Sequence, residues 1–187
     1  MKMNKLFKTD GHGIIIGCTD DIKNIKNLII PSEIDGVTIT AIGAYTFSYC
    51  DNLVTVTIPD TVTEIERCAF EYCTSLKSII IPDSVTKIGK GAFLSCTSLE
   101  SIILPERLEI IDNNTFSRCM NLKYISIPDS VTKIGTGAFA YCDTLSTALF
   151  KGTKLDWSTI DIGHMNQKLE DCISVASIVY QLRQLIN

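Results

Sequence analysis

The sequence predicts a repeat solenoid that is mainly β, with short 3₁₀ or α turns in each coil. Three observations predict it. Cysteines recur at intervals of 23 residues, the sequence around them repeats, and the apolar residues keep their offsets in each copy. A period of about 20 to 50 residues is typical of stacked repeats, each of which buries its apolar edge against the next copy. The cysteines of this column are Cys50, Cys73, Cys96, Cys119 and Cys142.

The chain is expected to form a single domain, because 187 residues with 45% hydrophobic composition suffice for one sizeable core. Residues 1–36 are predicted to be an N-terminal cap, residues 37–149 five repeats, and residues 150–187 a C-terminal cap and tail. The net charge of −4 gives no basic surplus, so nucleic acid is not an expected partner. We also expect no membrane span, because no segment is long and apolar enough.

Each repeat is expected to begin its coil with a short strand that ends at a proline. In "LKSIIIP", alternation directs Ile79 and Ile81 inward and Ile80 outward. Complete copies occupy residues 58–80, 81–103, 104–126 and 127–149, and a shorter copy occupies residues 37–57. Neighbouring strands would stack in parallel at about 4.8 Å, so that like residues form ladders.

The rest of each coil returns the chain to the next strand. "SVTKIG" is predicted to be either a turn or a second short extended segment that directs Val85 and Ile88 inward. "GAFLSC" is predicted to form a single 3₁₀ or α turn with Phe93 and Cys96 inside. The predicted inward positions of one unit are Leu76, Ile79, Ile81, Val85, Ile88, Phe93, Cys96 and Leu99.

Eight cysteines in one chain suggest a metal site, a disulfide framework or a nucleophile. Zinc sites commonly use paired CxxC spacing, which this sequence lacks, so we expect no metal and no cofactor. Five cysteines in one column cannot all pair, and parallel inward side chains disfavour the disulfide torsion. The favoured interpretation is a buried ladder of small hydrophobic side chains. Cys68 replaces the glycine of other copies, Gly91 and Gly137, and is expected to be the most exposed cysteine.

Other reactive residues do not form a recognisable catalytic pattern. His12 and His164 fall in opposite caps and cannot share a site. The repeated serines and threonines follow the period, which is typical of turn and ladder residues. An acidic column suggests either calcium binding or, as we favour, a solvated row that limits edge pairing. Its members are Asp60, Asp83, Glu106 and Asp129.

Binding is expected on the outer face of the strands, where copies differ while the scaffold stays constant. Apolar side chains among hydroxyl groups are typical of a protein-binding surface, although the same columns would suit a glycan. Two further interpretations remain open: such residues can be scattered singly on any surface, or a cap can cover them. The predicted binding residues are Ser78, Ile80, Ser101, Ile103, Tyr124, Ser126 and Leu149.

The repeated pattern "LxxIxIPxxVxxIxxxAFxxCxxL" resembles the leucine-rich repeat, and "IPDSVTKIGxGAF" with "CTSL" resembles its BspA-like subclass. The resemblance implies a right-handed coil with a cap at each end. Residues 11–47 resemble the opening hairpin of that family together with the repeat that follows it, and residues 152–169 resemble its closing segment. The closing pattern includes Gly152, Trp157, Ile160, Ile162, Gly163, Asn166 and Leu169. The final segment departs from the pattern and suggests either a strand over residues 173–180, which we favour, or a helix.

The variable outer strand face and the lack of a recognisable catalytic pattern favour a non-enzymatic protein-interaction module, and the resemblance to a family with surface and secreted members implies a role in adhesion. A structural or self-associating solenoid is the alternative, and an enzyme is the least favoured interpretation. The compartment stays open. The resemblance suggests the cell surface or secretion, whereas the unpaired cysteines, and the lack of a long apolar stretch after the first lysines, favour the cytoplasm.

Overall fold

The computed structural model describes residues 3–175, which form a solenoid of stacked coils. In each complete repeat, a front strand is followed by a turn, a shorter back strand and a second set of turns. The predicted β-rich solenoid is therefore confirmed. Little of the chain is helical: 3₁₀ helices span Met3–Leu6 and Asp20–Asn24, and α-helices span Lys154–Ser158 and Gln167–Cys172.

The front strands, which we call the front ladder, pair in parallel with like residues side by side. Two sheets make up this ladder, and a hydrogen bond from the Glu100 amide to the Lys77 carbonyl (3.2 Å) joins them. Each residue pairs with the equivalent residue of the next repeat, so that Ser101 lies beside Tyr124 and Ile103 beside Ser126. The front strands are Asn27–Ile29, Thr55–Thr57, Ser78–Ile80, Ser101–Ile103, Tyr124–Ile127, Thr147–Phe150 and Ile173–Val175.

The back strands form a second parallel ladder, which we call the back ladder. "SVTKIG" therefore contains a second extended segment, Lys87–Ile88, which decides between the two predicted conformations. The back strands are Ile14–Cys18, Ala41–Ile42, Glu64–Ile65, Lys87–Ile88, Ile110–Ile111, Lys133–Ile134 and Asp161–Ile162. Two antiparallel hairpins lie near the N-terminus: Phe7–Thr9 pairs with Ile14–Cys18, and Glu33–Ile34 pairs with Val37–Thr38.

The core lies between the ladders and is built of like residues stacked on like. One phenylalanine per repeat is fully buried, and adjacent rings in this stack lie 5.1 to 5.5 Å apart at angles of 20° or less. Of the inward positions predicted for one unit, all are buried except Ile81, which is partly buried against the core. The stacked rings belong to Phe47, Phe70, Phe93, Phe116 and Phe139.

The segment around each core phenylalanine is a series of tight turns. Hydrogen bonds of the 3₁₀ type, such as Cys96 amide to Phe93 carbonyl (3.2 Å), recur along it. A continuous helix does not form because two residues in each copy have left-handed backbones. Gly91 occupies the first of these positions with φ of 64°, and Cys68 occupies it in the preceding coil with φ of 53°. This conformation explains the glycines of other copies, since glycine adopts it without strain.

The N-terminal hairpin covers the first coil. Phe7 places its ring edge-on against Phe47, with centroids 6.3 Å apart, so the phenylalanine stack ends on an aromatic contact. Leu6 and Ile15 are fully buried beneath it. Without these contacts the ring of Phe47 would face water. The assignment of residues 1–36 as a cap stays a prediction.

The C-terminal cap depends on Asn166, a buried polar residue. In the repeats, the amide of each core phenylalanine donates to a carbonyl of the following coil, as Phe93 does to Thr115. Phe139 has no such coil after it and donates instead to Oδ1 of Asn166 (3.0 Å). Nδ2 of Asn166 donates to the carbonyls of Gly135 (3.0 Å) and Gly163 (2.7 Å). The Asn166 side chain thus supplies the acceptor that a backbone carbonyl provides in the repeats, while the Gly137 amide donates to the backbone carbonyl of His164 (2.8 Å).

The closing segment also seals the apolar end of the stack. Trp157 packs edge-on against Phe150, with ring centroids 5.3 Å apart, and Leu169 is fully buried. After the helix Gln167–Cys172, the strand Ile173–Val175 joins the front ladder beside Thr147–Phe150. This agrees with the favoured strand for residues 173–175, while the rest of that prediction, residues 176–180, lies outside the described residues.

Within residues 3–175, no helix is long and apolar enough to cross a membrane.

Candidate binding face

The front ladder presents side chains outward in columns, as the alternation predicted. Ile80 is 64% exposed and Ile103 is 62% exposed on adjacent coils. Ser78 and Ser101 lie beside them, also exposed, and form a parallel column of hydroxyl groups. The side chain between each pair, such as Ile79, is buried. Two large apolar side chains therefore lie next to each other in water on this face.

A third exposed isoleucine lies in the same column towards the N-terminus, outside the predicted residues and separated from Ile80 by Thr57. Ile29 lies in register with Thr57 and is 64% exposed. Beside it, the Thr55 hydroxyl donates to Oδ1 of Asn27 (2.8 Å), so the polar column also continues there. Ile29 was missed because it precedes the first regular copy, although "NLII" before Pro31 matches the strand sequence of later repeats.

Towards the C-terminus, the structure corrects the prediction for Ser126. Its side chain is in the predicted column, but the residue is only 3% exposed. The small serine lies between the larger side chains of Ile103 and Leu149 in adjacent strands, which shield it from water. Tyr124 and Leu149 are half-buried. The accessible apolar face is therefore centred on Ile80 and Ile103 and shifted towards the N-terminal coils.

A charged column runs beside the hydroxyl column, immediately before each strand. Lys77, Glu100 and Lys123 are exposed on three successive coils. Together with Ser98 and Asn121 they line a small concavity of about 220 Å³. The alternation of positive, negative and positive charge gives this edge of the face an electrostatic pattern that a partner of opposite pattern can match.

The cysteine column is buried, as predicted, and its thiols form hydrogen bonds that the sequence did not reveal. The thiol of Cys96 donates to the carbonyl of Phe70 in the preceding coil (3.1 Å), and Cys119 donates to Phe93 (3.3 Å). Burial raises the pKa of Cys73 to about 12 and that of Cys142 to about 12. These thiols therefore stay protonated at neutral pH and serve the scaffold.

The three remaining cysteines, Cys18, Cys68 and Cys172, are partly exposed. The expectation that Cys68 is the most exposed of them stays a prediction. Burial raises the pKa of its thiol above the ordinary value, with a further contribution from a hydrogen bond to Glu71.

The acidic column lies on the surface and makes local contacts. The Glu106 amide donates to a carboxylate oxygen of Asp83 (3.1 Å), and the Lys151 ammonium contacts the Glu106 carboxylate. In the described part of the chain, no cluster of three or more histidine, cysteine or acidic side chains has the geometry of a metal site. His12 and His164 lie in the hairpin and the closing segment, at opposite ends of the stack.

The back ladder carries charge and forms a contrasting surface. Nζ of Lys87 lies 2.6 Å from Glu64, and Nζ of Lys133 lies 3.2 Å from Asp161. Ile110 lies between these two lysines and is also exposed. It lacks an exposed apolar neighbour in its column, so this surface does not form a continuous apolar patch.

Sequence reasoning also missed a set of tyrosines on the turns. Tyr49 and Tyr72 stack with ring centroids 4.9 Å apart, and the guanidinium of Arg67 lies 5.0 Å from the ring centre of Tyr45. All three tyrosines have positive φ, which is uncommon for a bulky residue. The sequence signals two of these tyrosines, Tyr49 and Tyr72, through the recurrence of tyrosine before the column cysteine in "SYC", "EYC" and "AYC".

Comparison with known proteins identifies the repeat. A sequence profile described as the BspA type leucine rich repeat region matches residues 18–161, with six copies. The chain belongs to this family. Among curated proteins, none matches the sequence significantly.

Several solved structures are similar in fold to this chain. A leucine-rich repeat protein of T. pallidum is 31% identical, with a TM-score of 0.70 over 85% of this chain and 79% of that one. A leucine-rich repeat protein of Eubacterium ventriosum is 26% identical, with a TM-score of 0.69 over 79% and 40%. A leucine-rich cell surface protein of Faecalibacterium prausnitzii is 27% identical, with a TM-score of 0.50 over 77% and 52%. The chain thus matches about half or less of the last two.

Proposed function

We propose that the chain is a non-enzymatic protein-binding module that uses the front face of the solenoid. The observation that carries the proposal is the pair of exposed isoleucines, Ile80 and Ile103, side by side on the ladder. Leaving two such side chains in water forgoes about 1.5 to 3 kcal/mol each relative to full burial. A partner that covers them would recover part of this free energy.

The surroundings of the pair indicate a partner surface of mixed character. Ser78 and Ser101 offer hydroxyl groups that can donate or accept hydrogen bonds, while Lys77 and Glu100 add charge at the edge. An apolar centre with a polar, charged rim is the usual composition of a protein interface. A glycan would use the hydroxyl column but would gain less from the isoleucines.

The similarity to a cell surface protein of Faecalibacterium prausnitzii supports an adhesive form of this binding. In an adhesive role, the repeats hold the face rigid while the outward residues select the partner. Rigid presentation reduces the ordering cost of association, since a surface that is already ordered loses little conformational freedom on binding.

The experiment is affinity capture from cell extracts, bacterial extracts among them, with immobilised protein. The double variant Ile80→Asp/Ile103→Asp is expected to retain its circular dichroism spectrum and lose the captured partner by tenfold or more. Placing carboxylates at the centre of an interface leaves them buried without partners, which is costly.

The matched control is Ile110→Asp, which adds a carboxylate at an exposed isoleucine of the back ladder. It should capture the partner as the wild type does. Equal retention of a partner by the wild type and the double variant would exclude the front face as its binding site.

A further inference from the structure

Two thiols lie in contact where the N-terminal cap meets the repeats. Sγ of Cys18 is 4.0 Å from Sγ of Cys50. Cys18 ends the second strand of the N-terminal hairpin, and Cys50 is the first member of the cysteine column. The pair therefore spans the boundary between cap and repeats, 32 residues apart in sequence.

The environment of Cys50 differs from that of the other column cysteines. Each of the four that follow donates its thiol to the carbonyl of a phenylalanine 26 residues earlier, as Cys73 does to Phe47 (3.1 Å). The position 26 residues before Cys50 is Asn24, in a 3₁₀ helix of the cap rather than in a phenylalanine turn. In the described part of the chain, the Cys50 thiol instead meets Cys18, which itself donates to the Thr46 carbonyl (3.3 Å).

We propose that Cys18 and Cys50 are a modification site. Their two thiols form a disulfide bond when the protein reacts with a small-molecule disulfide such as oxidised glutathione. The Cys18 thiolate attacks one sulfur of the small molecule and expels one thiolate. The Cys50 thiolate then attacks Sγ of Cys18 and expels the second thiolate. The two protons lost by the cysteines protonate the two expelled thiolates, so two protein thiols are oxidised and one small-molecule disulfide is reduced.

Accessibility sets the order of these steps. Cys18 is partly exposed, whereas Cys50 is buried, so an external disulfide reaches Cys18 first. The hydrogen bond with Cys50 lowers the pKa of Cys18, and Lys8 lowers it further, while burial opposes both. The same hydrogen bond raises the pKa of Cys50. Cys18 is thus the attacking thiol and Cys50 the resolving one.

The bond would attach the cap covalently to the first repeat. Cross-linking two positions separated by a long loop stabilises the folded state, mainly by restricting the unfolded chain. The site would stay reduced in a reducing compartment and become oxidised outside it. The downstream thiols, each bonded to a main-chain carbonyl, would remain free in both cases.

The test uses the full-length chain, equilibrated with either reduced dithiothreitol or oxidised glutathione. Alkylation under denaturing conditions, followed by mass spectrometry, counts the free thiols, and peptide mapping locates any cross-link. The reduced protein is expected to carry eight alkylated cysteines, because the chain contains eight. After oxidation, Cys18 and Cys50 should be lost from this count and found joined in one cross-linked peptide.

Three variants make the result specific. Cys50→Ser should stop at a glutathione adduct on Cys18, and Cys18→Ser should leave Cys50 free. Cys68→Ser removes another partly exposed thiol and should form the Cys18–Cys50 cross-link as the wild type does. The proposal is overturned if wild-type Cys18 carries glutathione while Cys50 remains alkylatable, if both thiols stay free, or if the cross-link joins other cysteines.

Discussion

At the scale of single residues, stacking on like neighbours determines which side chains hold the solenoid together. Phe93 is fully buried, and its ring lies parallel to Phe70 and Phe116 at 5.5 Å from each. Offset stacking of this kind adds to the free energy of burial. Each such ring therefore links its own coil to the coils on both sides.

Replacing Phe93 with alanine should lower the free energy of unfolding by about 3 to 5 kcal/mol, because the cavity interrupts the stack in the middle of the solenoid. Met120→Ala removes an exposed apolar side chain and should change it by about 0.5 kcal/mol or less. Urea unfolding followed by circular dichroism measures both variants. Similar losses in the two would contradict a structural role for the phenylalanine stack.

The residue-level hydrogen bonds could not be predicted from the sequence. The column cysteines recur every 23 residues, but the thiols of the four that follow Cys50 donate to a carbonyl 26 residues earlier. The separation between donor and acceptor depends on how adjacent coils pack on each other. The repeat period of the sequence does not show it. The burial of Ser126 is similar, because it depends on the sizes of Ile103 and Leu149 on the adjacent strands.

At the scale of elements, the strands were predictable and the turns were only partly so. Alternation around Ile79 and the proline after it identified the front strand, since a strand directs successive side chains to opposite sides. The left-handed positions were not identified, because tyrosine, serine and arginine occupy them as well as glycine. Sequence preference indicates such a position clearly only where glycine is present.

The C-terminal closing segment has its own test, because Asn166 accepts the hydrogen bond of the Phe139 amide with its side chain. Asn166→Ala leaves the buried Phe139 amide without an acceptor and should lower the free energy of unfolding by about 1 to 3 kcal/mol. The chain contains one tryptophan, Trp157, so its fluorescence reports unfolding at the cap. The loss should therefore appear in fluorescence-monitored urea unfolding.

Asn121→Ala is the matched control, since Asn121 donates one hydrogen bond from an exposed position to the Thr97 carbonyl (2.9 Å). It should shift the free energy of unfolding by about 0.5 kcal/mol or less. An Asn166→Ala protein as stable as this control would show that the side chain does not cap the solenoid.

At the scale of the whole molecule, each front strand contains residues that pack in the core and other residues that face outward. Residues that recur with the period face the core, while the outward columns vary from Thr57 to Ile80 to Ser126. A solenoid built in this way can change its outer face without losing its stack, since each coil contacts mainly its neighbours. The proposed binding function depends on this separation.

The most direct test of this division between core and outward residues compares the same substitution at two adjacent residues. Ile79 is 7% exposed and Ile80 is 64% exposed. Thermal unfolding of Ile79→Asp should show a severe loss, with about 4 kcal/mol or more removed from the free energy of unfolding, because a carboxyl group would lie in the apolar core. Ile80→Asp should unfold within a few degrees of the wild type. Equal losses in the two variants, or a larger loss for Ile80→Asp, would contradict the assignment of the front face.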